Sequence, residues 1–141
     1  MKKAYFIFIF LILLSLGCGK DNVKPSADSL LSTDAFNSVD AIKKAYEDKS
    51  IITLQTHLED NLSESVIKNL FFEKAELTFT PRLVRISEST VTVNLNWQGT
   101  WWTVRNKKLK NRGVANLVLN KETQKLIRID GDSPFLTPVT K

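Results

Sequence analysis

The chain has 141 residues, of which 20 are Lys or Arg, 15 are Asp or Glu and one is cysteine. This length accommodates one domain with a single hydrophobic core and leaves no room for a second. Two of the cations, Lys2 and Lys3, lie at the N-terminus, so the rest of the chain is only mildly basic. Nucleic-acid-binding domains concentrate far more positive charge, and the composition therefore does not favour a nucleic-acid partner.

The N-terminal segment has the pattern of a signal peptide. Lys2 and Lys3 precede an apolar run, Ala4 to Leu16, in which Ser15 is the one polar side chain, and polar residues follow at once from Gly19. A helix needs about 20 apolar residues to span the hydrocarbon core of a bilayer, and this run is shorter. Its length is typical of the hydrophobic region of a signal peptide, and we predict that residues 1–17 are removed.

Cys18 is the one cysteine of the chain and cannot form an internal disulfide bond. The sequence Ser15-Leu16-Gly17-Cys18 resembles the lipobox of bacterial lipoproteins, except that Ser15 stands where a large aliphatic residue is usual. The resemblance implies that Cys18 carries acyl chains such as palmitate. Two or three acyl chains hold a protein on a membrane essentially permanently. We therefore expect an exported protein, anchored in the bacterial cell membrane or the outer membrane through Cys18.

The segment after the cysteine is polar and lacks a sustained apolar period. Residues 18–32 are accordingly predicted to be the lipidated cysteine and a flexible tether. A folded domain is predicted over residues 33–132, and a C-terminal tail over 133–141.

Apolar spacings of three and four predict three helices at the start of this domain. The first is capped by Asp34, the second by Ser50 and the third by Ser63. The apolar stripes are Phe36, Val39, Ile42 and Tyr46, then Ile51, Leu54, His57 and Leu58, and then Val66, Ile67, Leu70 and Phe71.

From Lys74 onward the pattern changes to strands. Leu77 and Phe79 alternate with polar residues before Pro81 breaks the run, and residues 90–98 alternate without interruption. Gly99 predicts a bulge or bend. Two further strands, 114–119 and 126–129, are joined by a hairpin loop.

Helices followed by antiparallel strands predict an α+β domain, with N-terminal helices packed on a curved, mainly antiparallel sheet. This order of elements resembles the nuclear transport factor two-like cone fold, including its SnoaL-like branch, over residues 33–132; cystatin-like and other helix-on-sheet domains are the alternatives. The resemblance implies a pocket enclosed by sheet and helices. That superfamily includes isomerases, dehydratases, hydrolases and non-catalytic members, so the fold does not decide the activity.

Catalytic candidates are few. Tyr46 and His57 could act as acid or base on a pocket wall, but neither has a partner motif, and at their spacings both are also explained as core or core-edge residues. With one His and one Cys, a zinc site of such ligands is not expected. The chain has no glycine-rich phosphate loop, and Asp130-Gly131-Asp132 lacks the further ligands of a calcium loop. We expect no metal and no cofactor.

Two groups of residues are candidates for contacts. Trp97, Trp101 and Trp102 form either core and rim or, alternatively, a pocket lip or homodimer face. The second group is Arg105, Lys107, Lys108, Lys110 and Arg112. These residues form either a solvated hairpin loop or a surface that contacts anionic headgroups or polymer.

Three hypotheses follow for the function. The favoured one is an envelope lipoprotein whose domain binds a small apolar ligand or another protein without catalysis. The second is a lyase or isomerase of the cone-fold type, working through His57 or Tyr46. The third is an adaptor for anionic envelope polymers through the basic residues 105–112.

Overall fold

The protein is represented by a computed structural model that describes residues 24–105 and 107–138. Within these residues three helices precede four strands, and the α+β fold class is confirmed. No helix among them is long and apolar enough to cross a membrane. The predicted signal peptide 1–17 and Cys18 lie outside the described residues. The elements are α1 (Ala27–Glu47), α2 (Ile51–His57), α3 (Asp60–Ile67), β1 (Lys74–Ile86), β2 (Thr90–Trp102), β3 (Lys108–Asn120) and β4 (Leu126–Gly131).

Helix α1 begins earlier than its apolar stripe predicts. Ser26 is the N-cap, and its side chain accepts a hydrogen bond of 3.2 Å from the amide of Ser29. Residues 27–32 are therefore helical, and the prediction of a tether reaching residue 32 is wrong over this range. The first buried residue is Ala35, so the first turns extend beyond the core and leave no apolar period in the sequence.

The end of α1 is a Schellman motif. Lys49 has a φ of +54°, and the amides of Lys49 and Ser50 donate to the carbonyls of Tyr46 and Ala45 at 3.2 and 2.8 Å. Lys49 also places its ammonium 4.9 Å from the centre of the Phe72 ring. This turn separates α1 from α2 and matches the predicted break before Ile51.

Helix α3 begins at Asp60 rather than at Ser63, whose hydroxyl donates to the carbonyl of Asp60 at 2.9 Å. The apolar stripe predicted for this helix is wrong at Phe71, which is 75% exposed, whereas Phe72 is buried. Helix α3 ends at Ile67, so the helical period no longer applies to these two residues.

The strands form one antiparallel sheet in the order β1-β2-β3-β4. The strict alternation of β2 is confirmed: its odd-numbered side chains are buried, and its even-numbered ones face away from the core. Pro81 does not end β1, since the strand continues to Ile86 with a register shift between Pro81 and Leu83. An edge strand tolerates proline at such a bulge, because no ladder hydrogen bond is lost there.

Gly99 causes neither bulge nor bend. It pairs in register with Leu77 on one side and Asn111 on the other. A Cβ atom at this position would overlap the indole ring of Trp101 and lie 2.8 Å from Cδ2 of Leu77. Glycine is required here by the close approach of a side chain.

The segment after β4 is not a free tail over its described part. Phe135 is fully buried in the core, where its ring lies 5.3 Å from that of Tyr46 and 6.0 Å from that of Phe79, measured between centroids. The prediction of a tail from residue 133 is therefore wrong for residues 133–138. The segment is too short and irregular to show a period in the sequence.

Candidate binding groove

Aromatic side chains fill the space between helices and sheet where the cone-fold resemblance implies a pocket. The rings of Tyr46 and Phe72 are 5.0 Å apart, and Trp97 and Trp101 pack edge to face at 6.3 Å. All four are buried. Together with Phe135 they make this region a packed core.

Hydrogen bonds fix the polar atoms of this aromatic core. Trp101 Nε1 donates to Tyr46 Oη at 3.0 Å, and Trp97 Nε1 donates to the carbonyl of Asp132 at 2.7 Å. Thr137 Oγ1 lies 3.4 Å from Tyr46 Oη and donates to the carbonyl of Asn69 at 2.6 Å. Since a carbonyl can only accept, Thr137 uses its single proton there, and the tyrosine is the donor toward Thr137.

These contacts give Tyr46 a structural position. Its side chain is 0% exposed, which keeps it out of reach of a ligand at the surface. Burial raises the pKa of the Tyr46 phenol, and the hydrogen bond that its oxygen accepts from Trp101 offsets part of that effect. The phenol stays protonated at neutral pH and does not serve as a base there.

We expect Tyr46→Phe to lower the free energy of unfolding by about 1–2 kcal/mol near pH 8, because it leaves the buried Trp101 Nε1 without its acceptor. It should also change the alkaline response. A raised folded pKa gives stability that is fully present below the unfolded pKa of about 10 and is lost as pH rises through the folded pKa. Urea unfolding at pH 8 and at pH 11 should therefore show a smaller alkaline loss in the variant than in the wild type. An equal loss in both proteins would contradict the assignment.

His57, the other catalytic candidate, is the last residue of α2 and is partly buried. No hydrogen bond or salt bridge between described residues involves its ring, and none of their carboxylate oxygens lies within 4.0 Å of a ring nitrogen. Tyr46 and His57 therefore do not form an acid–base pair in this structure. Nor do the described residues contain a group of three His, Cys, Asp or Glu side chains that could hold a metal ion.

The three tryptophans divide as the strand alternation predicts. Trp97 and Trp101 lie on the helix side and are core residues, which corrects the suggestion that they form a contact surface. Trp102 lies on the opposite face of β2, partly exposed, with the ammonium groups of Lys74 and Lys108 at 5.0 and 5.1 Å from the centre of its ring.

The basic residues are not confined to a hairpin loop. Lys108, Lys110 and Arg112 belong to β3, and Arg105 and Lys107 precede it. All five are exposed. The sequence pattern does not predict this strand, because three cations in five residues are typical of a solvated loop. In the structure these residues pair with β2, and the ladder extends to the end of both strands.

A largely apolar groove of about 560 Å³ lies between α1 and β1. Its volume is within the roughly 300–1,000 Å³ of ligand sites. Its floor rests on the core, because Phe79 packs against Phe135. Phe36 forms part of the wall and is 37% exposed, so the predicted apolar stripe of α1 extends out of the core at this residue. The lining comprises Phe36, Val39, Asp40 and Lys43 from α1 and Leu77, Thr78, Phe79 and Pro81 from β1.

One side of the groove is the free edge of the sheet, since β1 pairs only with β2. The amide of Leu77 points away from β2 and donates to Glu47 Oε1 at 2.5 Å. Because backbone groups alternate sides along a strand, the N–H and C=O of Phe79 also point outward. Neither has a partner among the hydrogen bonds of the described residues. Pro81 comes next on this edge and has no N–H.

Ion pairs line the helix side of the groove. Asp40 accepts from Lys44 at 2.8 Å, and Lys43 lies 3.9 Å from Asp40 and 3.6 Å from Glu47. The hydrogen bond from Lys44 lowers the pKa of the Asp40 carboxyl, and the same bond raises the pKa of Lys44. The groove is thus an apolar floor with a balanced, charged rim.

Sequence reasoning missed this groove. The sequence pattern predicts that Phe36 belongs to the apolar stripe of α1 and that Pro81 breaks a strand, but nothing in it places these residues side by side. The available signal was Pro81, two residues after Phe79, because a proline within a strand pattern indicates an edge strand or a bulge.

Comparison with solved structures supports the fold. A nuclear transport factor 2 (NTF2-like) superfamily protein from Salmonella enterica serovar Typhimurium strain LT2 superimposes with a TM-score of 0.64 at 11% sequence identity, over 80% of this chain and 97% of that one. At this identity the likeness concerns the fold alone, and the predicted cone-like arrangement is confirmed. No family model matches the sequence, and no curated protein matches it.

Proposed function

We propose that this chain, whose domain has the NTF2-like cone fold, is an envelope lipoprotein that binds an extended polypeptide segment without catalysis. The observation that carries the proposal is the apolar groove beside an unpaired strand edge. The interior of the cone also supports the proposal. Aromatic side chains occupy that space, so a ligand would bind in the surface groove instead. Cys18 provides the anchor, by its resemblance to the lipobox.

An extended peptide fits this groove better than a small apolar molecule. Small-molecule sites bury most of their ligand, whereas Phe36, Thr78 and Pro81 leave the groove open to solvent. A peptide added to β1 would bond with the outward N–H and C=O of Phe79 and place alternate side chains on the apolar floor. Pro81 and the bulge after it limit the added strand to a short segment.

The proposal predicts a strong dependence on Phe36. The probe is a displayed library of random nine-residue peptides, selected on the full chain in neutral detergent micelles. Selected peptides should carry apolar residues at alternate positions. Phe36→Ser should weaken their binding at least about 10-fold in fluorescence anisotropy, because the ring supplies a large share of the apolar contact.

The matched control is Phe71→Ser, which removes an equally large and more exposed ring outside the groove. It should leave the affinity unchanged. N-methylation of the peptide amides should weaken binding, because a peptide N–H donates to the outward C=O of Phe79. Recovery of no peptide, or equal losses in the two Phe variants, would overturn the proposed binding function. Displacement of a bound peptide by a fluorescent fatty acid with higher affinity would instead favour an apolar small ligand and reject the peptide.

A further inference from the structure

Three cations lie in a row on the outer face of β3. The side chains of Ala115, Leu117 and Leu119 point into the core, so the even-numbered side chains of this strand point away from the helices. Lys108, Lys110 and Arg112 are therefore on one face, and we call them the basic strand face. Residues two apart on a strand are about 6.8 Å apart, which spaces the three charges evenly.

Trp102 extends this face onto β2. It pairs with Lys108 across the strands, and the ammonium groups of Lys74 and Lys108 lie 5.0 and 5.1 Å from the centre of its ring. Such cation–π contacts attract the two ammonium groups to the ring while both lysine side chains stay exposed to solvent. Arg105 and Lys107 continue the positive charge beyond the start of β3, and both are exposed.

The positive charge is not neutralised locally. Strands β2 and β3 contain no acidic residue. None of the salt bridges between described residues involves Arg105, Lys107 or the basic strand face. Nearby, Glu76 pairs with Lys74 at 2.6 Å, and Asp132 accepts from the amide of Val114 at 3.3 Å. A solvated surface of mixed charge would intersperse both signs.

The basic strand face lies far from the start of α1. The hydrogen bond between Tyr46 and Trp101 places the C-terminal end of α1 beside the end of β2 that carries Trp102. From Tyr46 back to Ala27 the helix extends about 28 Å, at 1.5 Å per residue. Because Val39 and Phe36 meet β1 near Leu77 and Pro81, this direction leads away from the basic end. The chain therefore enters the domain at the opposite end.

We propose that the basic strand face binds a linear anionic polymer of the cell envelope, whose phosphate or carboxylate groups lie along β3. The evenly spaced charges and the absence of acids on β2 and β3 support a polymer with repeating charge. The choice of a polymer over the headgroups of the anchoring membrane rests on the proposed anchor at Cys18, since the tether leaves from the other end of the domain.

Polyphosphate binding by the full chain in neutral detergent micelles tests whether the basic strand face binds a polyanion. Replacing Lys108, Lys110 and Arg112 together by Gln should weaken binding at least about 10-fold. For three neutralised charges on a flexible polyanion, raising salt from 50 to 200 mM should weaken wild-type binding by about 20-fold. The matched control replaces Lys24, Lys68 and Arg82 by Gln, which removes equal charge from exposed residues elsewhere on the surface and should change the affinity little.

A second measurement separates the polymer from the membrane. The full chain is placed in phosphatidylcholine vesicles containing brominated phosphatidylglycerol, and tryptophan fluorescence is compared with that of Trp102→Phe. We expect no quenching that depends on Trp102. Such quenching would place this face on the headgroups and overturn the proposal, as would equal polyphosphate binding by the two Gln triples or binding insensitive to salt. Peptide binding in the α1–β1 groove would be unaffected by either result.

Discussion

Gly99→Ala should lower the free energy of unfolding by about 3 kcal/mol or more, although alanine is the better strand residue by intrinsic preference. The added methyl group would overlap the ring of Trp101, which is buried, packed against Trp97 and hydrogen-bonded to Tyr46. An indole held on all sides has no free space into which it can move. A loss of this size is a large fraction of the 5–15 kcal/mol that stabilises a typical domain.

A double-mutant cycle identifies the cause of this loss. In a Trp101→Leu background the space opposite Gly99 is open, so Gly99→Ala should cost much less than in the wild type. Thr100→Ala, one residue away on the outer face, serves as the local control and should change stability by less than about 1 kcal/mol. Urea unfolding followed by circular dichroism measures the four proteins of the cycle and the Thr100→Ala control. Additive effects of Gly99→Ala and Trp101→Leu would show that the glycine is needed for another reason.

On the proposed anchor, Cys18→Ala should abolish lipidation and removal of residues 1–17 together, since both would depend on the Cys18 thiol. The native protein is expected to have the mass of a chain beginning at Cys18 with acyl chains attached, and the variant the mass of the unprocessed chain. Intact mass spectrometry of protein extracted from the envelope decides between them. Because two or three acyl chains bind essentially irreversibly, high salt should not extract the native protein from membranes.

Ser15 provides a matched variant in the same segment. Ser15→Leu restores the aliphatic residue that usually stands three positions before the lipidated cysteine, and should speed processing in a pulse-chase experiment while leaving the final product unchanged. A native protein with an unmodified Cys18 sulfur, or with residues 1–17 still attached, would refute the anchor. The fold and the groove do not depend on that outcome.

Several elements could be predicted because one local rule decided them. The period of two in β2 places Val91, Val93, Leu95 and Trp97 in the core, since a strand with one buried face must alternate. The stripe of α1 from Val39 to Tyr46 is buried for the corresponding helical reason. Helix-then-strand order was enough to predict the class of fold.

Other elements depend on neighbours that the local pattern does not contain. The first turns of α1 project beyond the core, so their helical state rests on the cap at Ser26 and leaves no apolar period. Phe135 is buried because the meander brings residue 135 to the rings of Tyr46 and Phe79, which are distant in sequence. In the sequence pattern Gly99 predicts a bulge or bend, whereas in the structure its missing side chain leaves room for the ring of Trp101 on the same strand.

The candidate surfaces, too, depend partly on the local sequence and partly on the tertiary structure. By itself the sequence determined the charge of residues 105–112, the single Cys18 in its lipobox-like context, and the faces to which Trp101 and Trp102 point, because each is a property of composition or of strand alternation. Only the tertiary structure decided that Phe36 and Pro81 border one groove, that Tyr46 is sealed in the core, and that the basic residues align on a strand. These facts depend on the sheet register and on where α1 crosses the sheet, which are set by packing between distant segments.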